Sequence, residues 1–205
     1  DNMKNIIGII SRKEDDKYYA KEEVVNMILK YNSIPIIINS NNKKSINLCD
    51  GIVFPGGDEV NKNDIELIKY LYDNDIPCLG ICLGMQEIGY YFNNKTIKKL
   101  DTSMHFNLKE KYVHSIKLKR KGYLHNLLNT DIINVNSRHN YHIEENKNYI
   151  VEAKCNKVIE AIKVKNTKYI LGLQFHPEIM CTYDNNAKTI LEDFIKTCSK
   201  WSLFL

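Results

Sequence analysis

The chain has 205 residues, of which 43% are hydrophobic and 26% are charged, close to the usage of ordinary globular proteins. This composition excludes a disordered chain, a collagen-like repeat and a coiled coil, and no apolar run approaches the roughly 18 residues of a membrane-spanning helix. The net charge of +4 comes from interspersed basic and acidic residues, so neither nucleic acid nor membrane is expected as a partner. A single domain over residues 1–205 is expected at this length.

Strands and helices alternate over the first part of the chain. Short apolar runs predict strands at 4–10, 34–38, 51–54 and 77–81, and helical periodicity predicts helices at 17–31, 63–72 and 85–92. The Asn-rich stretch 39–47 is interpreted as a solvated loop. Such alternation indicates a parallel sheet flanked by helices.

After residue 92 the chain becomes richer in β-type runs joined by polar connections. Strands are predicted at 113–118, 132–136, 149–153, 158–164 and 169–175, and a last helix at 185–200. The basic residues between Lys117 and Lys121 are interpreted as a solvated strand end. The predicted fold class is α/β, a three-layer sandwich with a mostly parallel central sheet.

A cysteine lies between two glycines where a predicted strand meets a predicted helix, in Gly80-Ile81-Cys82-Leu83-Gly84. This G-x-C-x-G pattern is the cysteine counterpart of the nucleophile elbow, in which a sharp strand-to-helix turn leaves no room for side chains two residues away. Cys82 is therefore the predicted nucleophile. The other cysteines are interpreted as small buried hydrophobes.

A thiol nucleophile needs a base, and the base needs a group that orients it. His176 and Glu178 follow the predicted strand 169–175, so their side chains are expected at the same sheet edge as Cys82. Pro177 is expected to stiffen a turn between them. Together the three residues form the predicted catalytic set.

Two glycines follow the predicted strand 51–54, in Phe54-Pro55-Gly56-Gly57-Asp58. Backbone N–H groups without an adjacent side chain can turn toward an oxyanion, and one such donor contributes about 2.7–4 kcal/mol to an acyl transfer. The predicted oxyanion hole consists of the N–H groups of Gly57 and Leu83.

Four motifs in this order resemble the class I (triad) glutamine amidotransferase superfamily: 55–58 (PGGD), 77–87 (PCLGICLGMQE), 135–139 (VNSRH) and 172–178 (GLQFHPE). Within it the chain is most similar to the branch of γ-glutamyl hydrolases and γ-glutamyl-GABA hydrolases, peptidase family C26. The resemblance implies a flavodoxin-like fold, a triad of Cys82, His176 and Glu178, and a γ-glutamyl thioester intermediate. It also implies substrate binding by Gly56, Gln86, Ser137 and His139.

Three departures from the branch pattern leave the identity of the leaving amine open. Leu83 stands where Arg is frequent, Glu59-Val60 replaces an acidic residue and a proline, and Tyr141 replaces a Gln. Arg138, a rare arginine in a lysine-rich chain, is predicted to bind an anionic part of the substrate, because its guanidinium can hold a carboxylate through two hydrogen bonds.

The leading hypothesis is a stand-alone hydrolase that releases glutamate and an amine from a small γ-glutamyl amide. The alternative is a glutaminase subunit that supplies ammonia to a separate synthetase, a reading favoured by GICLGMQ at 80–86. A third interpretation, a binding module without turnover, is disfavoured by the complete catalytic set. The oligomeric state stays open, and a dimer is allowed.

No cofactor and no metal ion are predicted. His139 and His142 are three residues apart, but the β-type surroundings and the lack of a third nearby ligand disfavour zinc. The six cysteines include no C-x-x-C pair, and no signal-peptide pattern is present, so a reducing cytoplasmic location is expected.

Overall fold

The computed structural model describes residues 4–93, 97–101 and 103–201. Its strands are β1 (Ile6–Ile10), β2 (Arg12–Glu14), β3 (Lys17–Tyr19), β4 (Ile34–Ile38), β5 (Gly51–Phe54), β6 (Cys78–Ile81), β7 (Lys98–Lys99), β8 (Phe106–Asn107), β9 (His114–Leu118), β10 (Ile132–Val135), β11 (Ser137–Arg138), β12 (Tyr141–His142), β13 (Tyr149–Cys155), β14 (Val158–Val164) and β15 (Ile170–Leu173). Its helices are α1 (Glu22–Lys30), α2 (Lys43–Ile46), α3 (Lys62–Asp73), α4 (Leu83–Phe92), α5 (Tyr123–Leu128), α6 (Pro177–Met180) and α7 (Asn185–Trp201), with a 3-10 turn at Ser103–His105.

Nine of the described strands form one mixed sheet in the order β10-β9-β13-β14-β15-β6-β5-β1-β4. The strands β4, β1, β5, β6 and β15 are parallel to their neighbours in this group, and β14, β13, β9 and β10 extend the sheet by antiparallel pairing. When the parallel strands are numbered in chain order, their spatial order across the sheet is 2-1-3-4-5, which is that of flavodoxin-like folds.

Apolar side chains from the two faces of the sheet pack against separate helical layers. Successive side chains of β1 point to opposite faces of the sheet. Ile7 and Ile9 lie on the face covered by α1, α5, α6 and α7, and Ile10 lies on the face covered by α2, α3 and α4. These layers confirm the predicted three-layer α/β sandwich.

The start of the chain differs from the prediction of a helix over 17–31. Residues Lys17–Tyr19 pair with Arg12–Glu14 in a short hairpin, and the helix begins only at Glu22. Its buried residues Val24, Met27 and Ile28 set the helical periodicity, so the polar residues before them were free to form a strand.

Two segments predicted to be loops or turns contain short helices. In the Asn-rich stretch, the Asn42 side chain accepts a hydrogen bond from the N–H of Ser45, and Ile46 is fully buried. After His176, Pro177 occupies the first turn of α6, where its missing N–H is not required.

The carboxyl ends of the parallel strands lie at one edge of the sheet, as expected for this topology. The segment after β5 carries Gly56 and Gly57, the segment after β6 carries Cys82, and the segment after β15 carries His176. The topology therefore assembles the predicted motifs at one place.

All six cysteines are free and buried. In the part of the chain that the structure describes, no helix has both the length and the apolar character needed to cross a membrane.

Candidate active site

Cys82 occupies a sharp turn between β6 and α4. Its φ of 51° and ψ of −103° lie outside the regions that residues with a Cβ favour, and it is the N-cap residue of α4. Its N–H donates to the carbonyl oxygen of Leu173 at 2.8 Å, which fixes the turn to the neighbouring strand β15. This is the geometry of a nucleophile elbow.

The glycines around Cys82 are required by close packing. A Cβ on Gly84 would lie 2.1 Å from the carbonyl oxygen of Phe54, and a Cβ on Gly80 would lie 2.7 Å from Cδ1 of Ile88 and 2.8 Å from the carbonyl carbon of Gly84. Because the contact at Gly84 is with backbone, α4 can approach the end of β5 only without a side chain there.

His176 and Glu178 form a buried pair. The Nδ1 of His176 lies 2.7 Å from Oε1 of Glu178, and only 8% and 6% of these residues is exposed. Since Nδ1 is occupied by the carboxylate, Nε2 is the nitrogen left to interact with Cys82.

The electrostatics of the pair favour a charged imidazole. Burial by itself lowers the pKa of His176, but the neighbouring Glu178 and Cys82 outweigh burial and raise the pKa from 6.5 to about 10. His176 is thus able to hold a proton at neutral pH.

Asn136 positions His176 through its backbone, a role that no sequence pattern had indicated. The Asn136 side chain accepts a hydrogen bond from the N–H of His176 at 2.8 Å and donates one to its carbonyl oxygen at 3.1 Å. The only available signal was its place in the VNSRH motif, because the two residues are 40 positions apart.

The glycine loop after β5 faces the same centre. A Cβ on Gly56 would lie 3.0 Å from Cε1 of His176 and 3.8 Å from Cβ of Cys82, and a Cβ on Gly57 would lie 2.8 Å from Cδ2 of Leu83. The structure thus brings Gly56, Gly57 and Leu83 next to Cys82 and His176.

Arg12 ties this loop to the fold, which the sequence did not reveal. Its guanidinium donates to the carbonyl oxygens of Pro55 and Gly56 and pairs with the buried carboxylates of Asp64 and Glu87. The carboxylates of Asp64 and Glu87 thus share one guanidinium. Burial raises the pKa of Glu87 to about 8; the charge of Arg12 opposes this rise, and the neighbouring Asp64 adds to it.

The predicted substrate-binding residues have different surroundings. The amide nitrogen of Gln86 donates to the carbonyl oxygen of Tyr141 at 3.1 Å and to Oε1 of Gln174 at 3.3 Å. The Ser137 hydroxyl donates to the carbonyl oxygen of His105 at 2.7 Å. The Nε of Arg138 is buried without a hydrogen-bond partner among the described residues.

The side chain of His139 belongs to a separate buried cluster. Its Nδ1 lies 2.9 Å from the carbonyl oxygen of Tyr141, and its Nε2 lies 3.5 Å from Oε1 of Glu160. Both ring nitrogens are therefore directed at protein groups, and the N–H of His139 donates to the carbonyl oxygen of His105 at 2.9 Å. His105 and His114 complete the cluster, whereas His142, which the sequence places three residues from His139, is outside it.

This arrangement suits acyl transfer. It combines a thiol at a helix start, an imidazole oriented by a carboxylate, and backbone N–H groups at a glycine loop.

Comparisons with known proteins agree with this architecture. The model of the family described as glutamine amidotransferase class-I matches residues 16–198. CTP synthase of Borreliella afzelii (strain PKo) is 28% identical over 228 residues, covering 90% of this chain and 42% of that protein. Anthranilate synthase component 2 of Cyanophora paradoxa is 33% identical over 180 residues, covering 80% of this chain and 86% of that protein. The chain thus spans less than half the length of this CTP synthase.

Two solved structures share the fold. A protein of Thermoplasma acidophilum that is proposed to be a GMP synthase subunit superposes with a TM-score of 0.76 at 19% identity, covering 98% of both chains. The glutaminase domain of Trypanosoma brucei CTP synthase with bound acivicin has a TM-score of 0.69 at 17% identity, covering 96% of this chain and 94% of that one. With the family model matching most of the residues and a relative at 33% identity, the chain belongs to the class-I glutamine amidotransferase family.

Proposed function

We propose that this chain is a glutaminase, which hydrolyses the side-chain amide of glutamine and supplies the ammonia to a synthetase subunit or domain. The observation that carries the proposal is Cys82 in a strained elbow beside the buried His176–Glu178 pair. We propose a supply of ammonia to a synthetase, rather than stand-alone hydrolysis, because the relatives include CTP synthases and an anthranilate synthase component. The γ-glutamyl hydrolase branch, the first expectation from sequence, receives no support from these relatives.

The first half of the reaction forms a thioester. The sulfur of Cys82 attacks the γ-carbonyl carbon of glutamine, and the carbonyl oxygen becomes an oxyanion that accepts hydrogen bonds from the N–H groups of Gly57 and Leu83. His176 donates its Nε2 proton to the leaving nitrogen, so the C–N bond breaks and ammonia departs. Glu178 holds the imidazole through Nδ1 throughout.

The second half regenerates the enzyme. His176, now neutral, takes a proton from water as the water oxygen attacks the thioester carbon. The C–S bond breaks, glutamate leaves with its carboxyl proton passing to solvent, and the site returns to the Cys82 thiolate and the His176 imidazolium from which the first half began.

The groups around this centre bind the glutamyl part. The Oε1 of Gln86 and the backbone carbonyl oxygens of Ser137 to His139 accept hydrogen bonds from the α-amino group. Gly56 leaves room beside His176 for the chain of the substrate. The buried Nε of Arg138, which lacks a partner among the described residues, donates to an anionic group of the substrate.

An exposed apolar segment beside the site supports a protein partner. Phe106, Leu108 and Tyr112 are 44%, 60% and 42% exposed, and Phe106 pairs with Arg138 between β8 and β11. Exposed apolar groups clustered next to an ammonia-releasing centre suit a synthetase that must receive ammonia without loss to water.

The test measures glutamate release by the purified chain from glutamine and from a panel of other γ-glutamyl amides, with Cys82→Ala as the blank. We expect Cys82-dependent turnover of glutamine in preference to the other amides. Fast turnover of another γ-glutamyl amide with glutamine poor would overturn the proposal in favour of a stand-alone hydrolase. Mass spectrometry after treatment with acivicin should show one label on Cys82, whereas an unlabelled protein without turnover would indicate a binding module.

The partner is tested with a matched pair of surface variants. In the presence of the synthetase subunit from the same source, Leu108→Asp should lose stimulation of glutamine turnover and keep the basal rate. Leu48→Asp changes a leucine that is 66% exposed and precedes β5 at the opposite sheet edge, so it should keep both.

A further inference from the structure

Four side chains from four separate segments converge beneath the Ser137–Arg138 strand. His105 ends the 3-10 turn, His114 begins β9, His139 follows β11, and Glu160 lies in β14. One ligand atom from each can be chosen so that all of them lie within 4.8 Å of one another. The Oε1 of Glu160 is at the centre, 3.0 Å from Nδ1 of His105, 3.6 Å from Nε2 of His114 and 3.5 Å from Nε2 of His139.

These groups are buried, and within the described residues their polar atoms face mainly one another. Apart from the contacts among the four residues, both carboxylate oxygens of Glu160, Nδ1 of His105, Nε2 of His114 and Nε2 of His139 have no hydrogen-bond partner there. The Glu160 side chain is fully buried and that of His114 is 7% exposed. Buried polar atoms are almost always satisfied in folded proteins, so a set of this size in one place requires an explanation.

The hydrogen bond of His139 shows what kind of partner is missing. Its Nδ1 lies 2.9 Å from the carbonyl oxygen of Tyr141, which can only accept, so Nδ1 carries the proton and donates. In a neutral imidazole, Nε2 then presents a lone pair toward the Glu160 carboxylate. Two electron-rich atoms 3.5 Å apart are compatible when a cation joins them, either a proton that converts the imidazole to an imidazolium or a metal ion.

We propose that His105, His114, His139 and Glu160 bind one divalent transition-metal ion, with zinc the preferred ion. Zinc bonds of about 2.0–2.1 Å in a tetrahedral arrangement place neighbouring ligand atoms about 3.3–3.4 Å apart, close to the distances around Glu160 Oε1. Three nitrogen ligands and one oxygen ligand disfavour magnesium and calcium, which prefer all-oxygen sites. The bond from His139 Nδ1 to Tyr141 is the outer contact that typically orients a metal-binding imidazole.

A metal ion here would have a structural role next to the candidate active site. The carbonyl oxygen of His105 already accepts hydrogen bonds from the Ser137 hydroxyl and from the N–H of His139. Ligation would lock this segment to β9 and β14, and Asn136, which holds the backbone of His176, lies at its start. With four protein ligands the site is closed, so the metal itself would not contact glutamine.

The experiment uses the whole chain without a histidine tag, dialysed in buffer that contains trace zinc. We expect about one zinc ion per chain by mass-spectrometric metal analysis, in accord with a single four-ligand site. We also expect a melting temperature that falls by several degrees when a strong chelator is added. After replacement of the metal by Co²⁺, the wild-type chain should show the intense visible absorption of a tetrahedral cobalt site.

Variants distinguish metal binding at this cluster from adventitious metal binding elsewhere on the protein. Glu160→Gln and His114→Ala should lose the metal and the chelator effect, whereas His125→Ala, which changes a histidine on α5 outside the cluster, should keep both. The proposal is overturned if wild-type protein contains no stoichiometric metal, shows no cobalt absorption and melts at the same temperature with and without chelator. These readouts do not depend on glutamine turnover, so a failure of the proposed function would leave them unchanged.

Discussion

At the scale of single residues, the backbone strain at Cys82 has a measurable effect on stability. A residue with a Cβ in a sparsely populated region such as φ 51°, ψ −103° raises the free energy of the folded state by about 1–3 kcal/mol. Glycine adopts positive φ without this penalty but adds about 0.5–1 kcal/mol of unfolded-state entropy. The difference between the two effects decides the outcome of a substitution.

We therefore expect Cys82→Gly to be more stable than Cys82→Ala by roughly 0.5–2 kcal/mol in urea unfolding, although both are inactive. The control is Cys181, a buried cysteine with an ordinary φ of −63°. There the glycine variant should be the less stable of the two. Equal stability of the two Cys82 variants would contradict the assignment of strain.

The raised pKa of His176 predicts how stability depends on pH. The folded value of about 10 exceeds the ordinary 6.5, so the protonated imidazole stabilises the fold fully below pH 6.5 and its contribution is lost as the pH rises toward 10. Glu178→Gln removes the carboxylate charge that opposes burial. We expect this variant to be most destabilised near pH 6, with the deficit shrinking toward pH 10.

The measurement is the free energy of unfolding across that range for wild type, Glu178→Gln and Glu66→Gln. Glu66 is an exposed carboxylate on α3, and its variant should differ from wild type by a constant amount. A constant difference for Glu178→Gln as well would show that Glu178 does not control the pKa of His176.

Local motifs predicted Cys82, His176 and Glu178 because the elbow and the post-strand histidine each lie within a few consecutive residues. Long-range partners have no such signal. Arg12 contacts groups 43 to 75 positions away, and Glu160 meets three histidines from other segments. For this reason no metal site was expected from the sequence, in which only His139 and His142 lie close together.

At the scale of elements, the close packing of α4 against β5 depends on the absence of a side chain at Gly84. A Cβ on Gly84 would meet the Phe54 carbonyl oxygen at 2.1 Å, whereas a Cβ on Gly56 would first meet the His176 ring at 3.0 Å. The first neighbour is backbone in the core of the fold, and the second is a side chain of the candidate active site. The same substitution should therefore have different effects at the two positions.

Gly84→Ala should lower the free energy of unfolding by about 1–3 kcal/mol or more, because the helix must move off the strand. Gly56→Ala should change stability by less than about 0.5 kcal/mol but strongly reduce glutamine turnover, because the methyl group crowds His176. Urea unfolding and glutamate release measured on both variants test the pair. A Gly84→Ala protein as stable as wild type would refute the packing argument.

Among the elements, the strands that consist of apolar runs were the most predictable, including the edge strand β4, in which Ile34 and Ile37 are 44% and 53% exposed. The apolar runs at Ile34–Ile38 and Gly51–Phe54 are bounded by turn residues and form strands with the predicted bounds. The six-residue helix α5 was missed because it is too short to show helical periodicity. The second strand of the hairpin, Lys17–Tyr19, was mistaken for the start of the helix predicted over 17–31, since its residues carry no strand period of their own.

At the scale of the whole molecule, the parallel and antiparallel parts of the sheet share one core. Ile9 on β1, one strand in from the β4 edge, and Ile133 on β10, the strand at the other edge, belong to the same buried apolar cluster. The two parts are also joined by the β14–β15 pairing and by Asn136, which holds His176. We propose that the described residues, 4–93, 97–101 and 103–201, unfold as one unit.

Calorimetry should accordingly show one transition, with equal calorimetric and van't Hoff enthalpies. Ile9→Val and Ile133→Val each remove one buried methylene, which should destabilise the protein by about 0.5–1.5 kcal/mol. Because the unit is shared, each variant should shift the entire transition by roughly 1–6 °C and leave its shape unchanged. Two resolved transitions, of which each variant moves only one, would show instead that the antiparallel strands form a separate folding unit and that the core does not couple them.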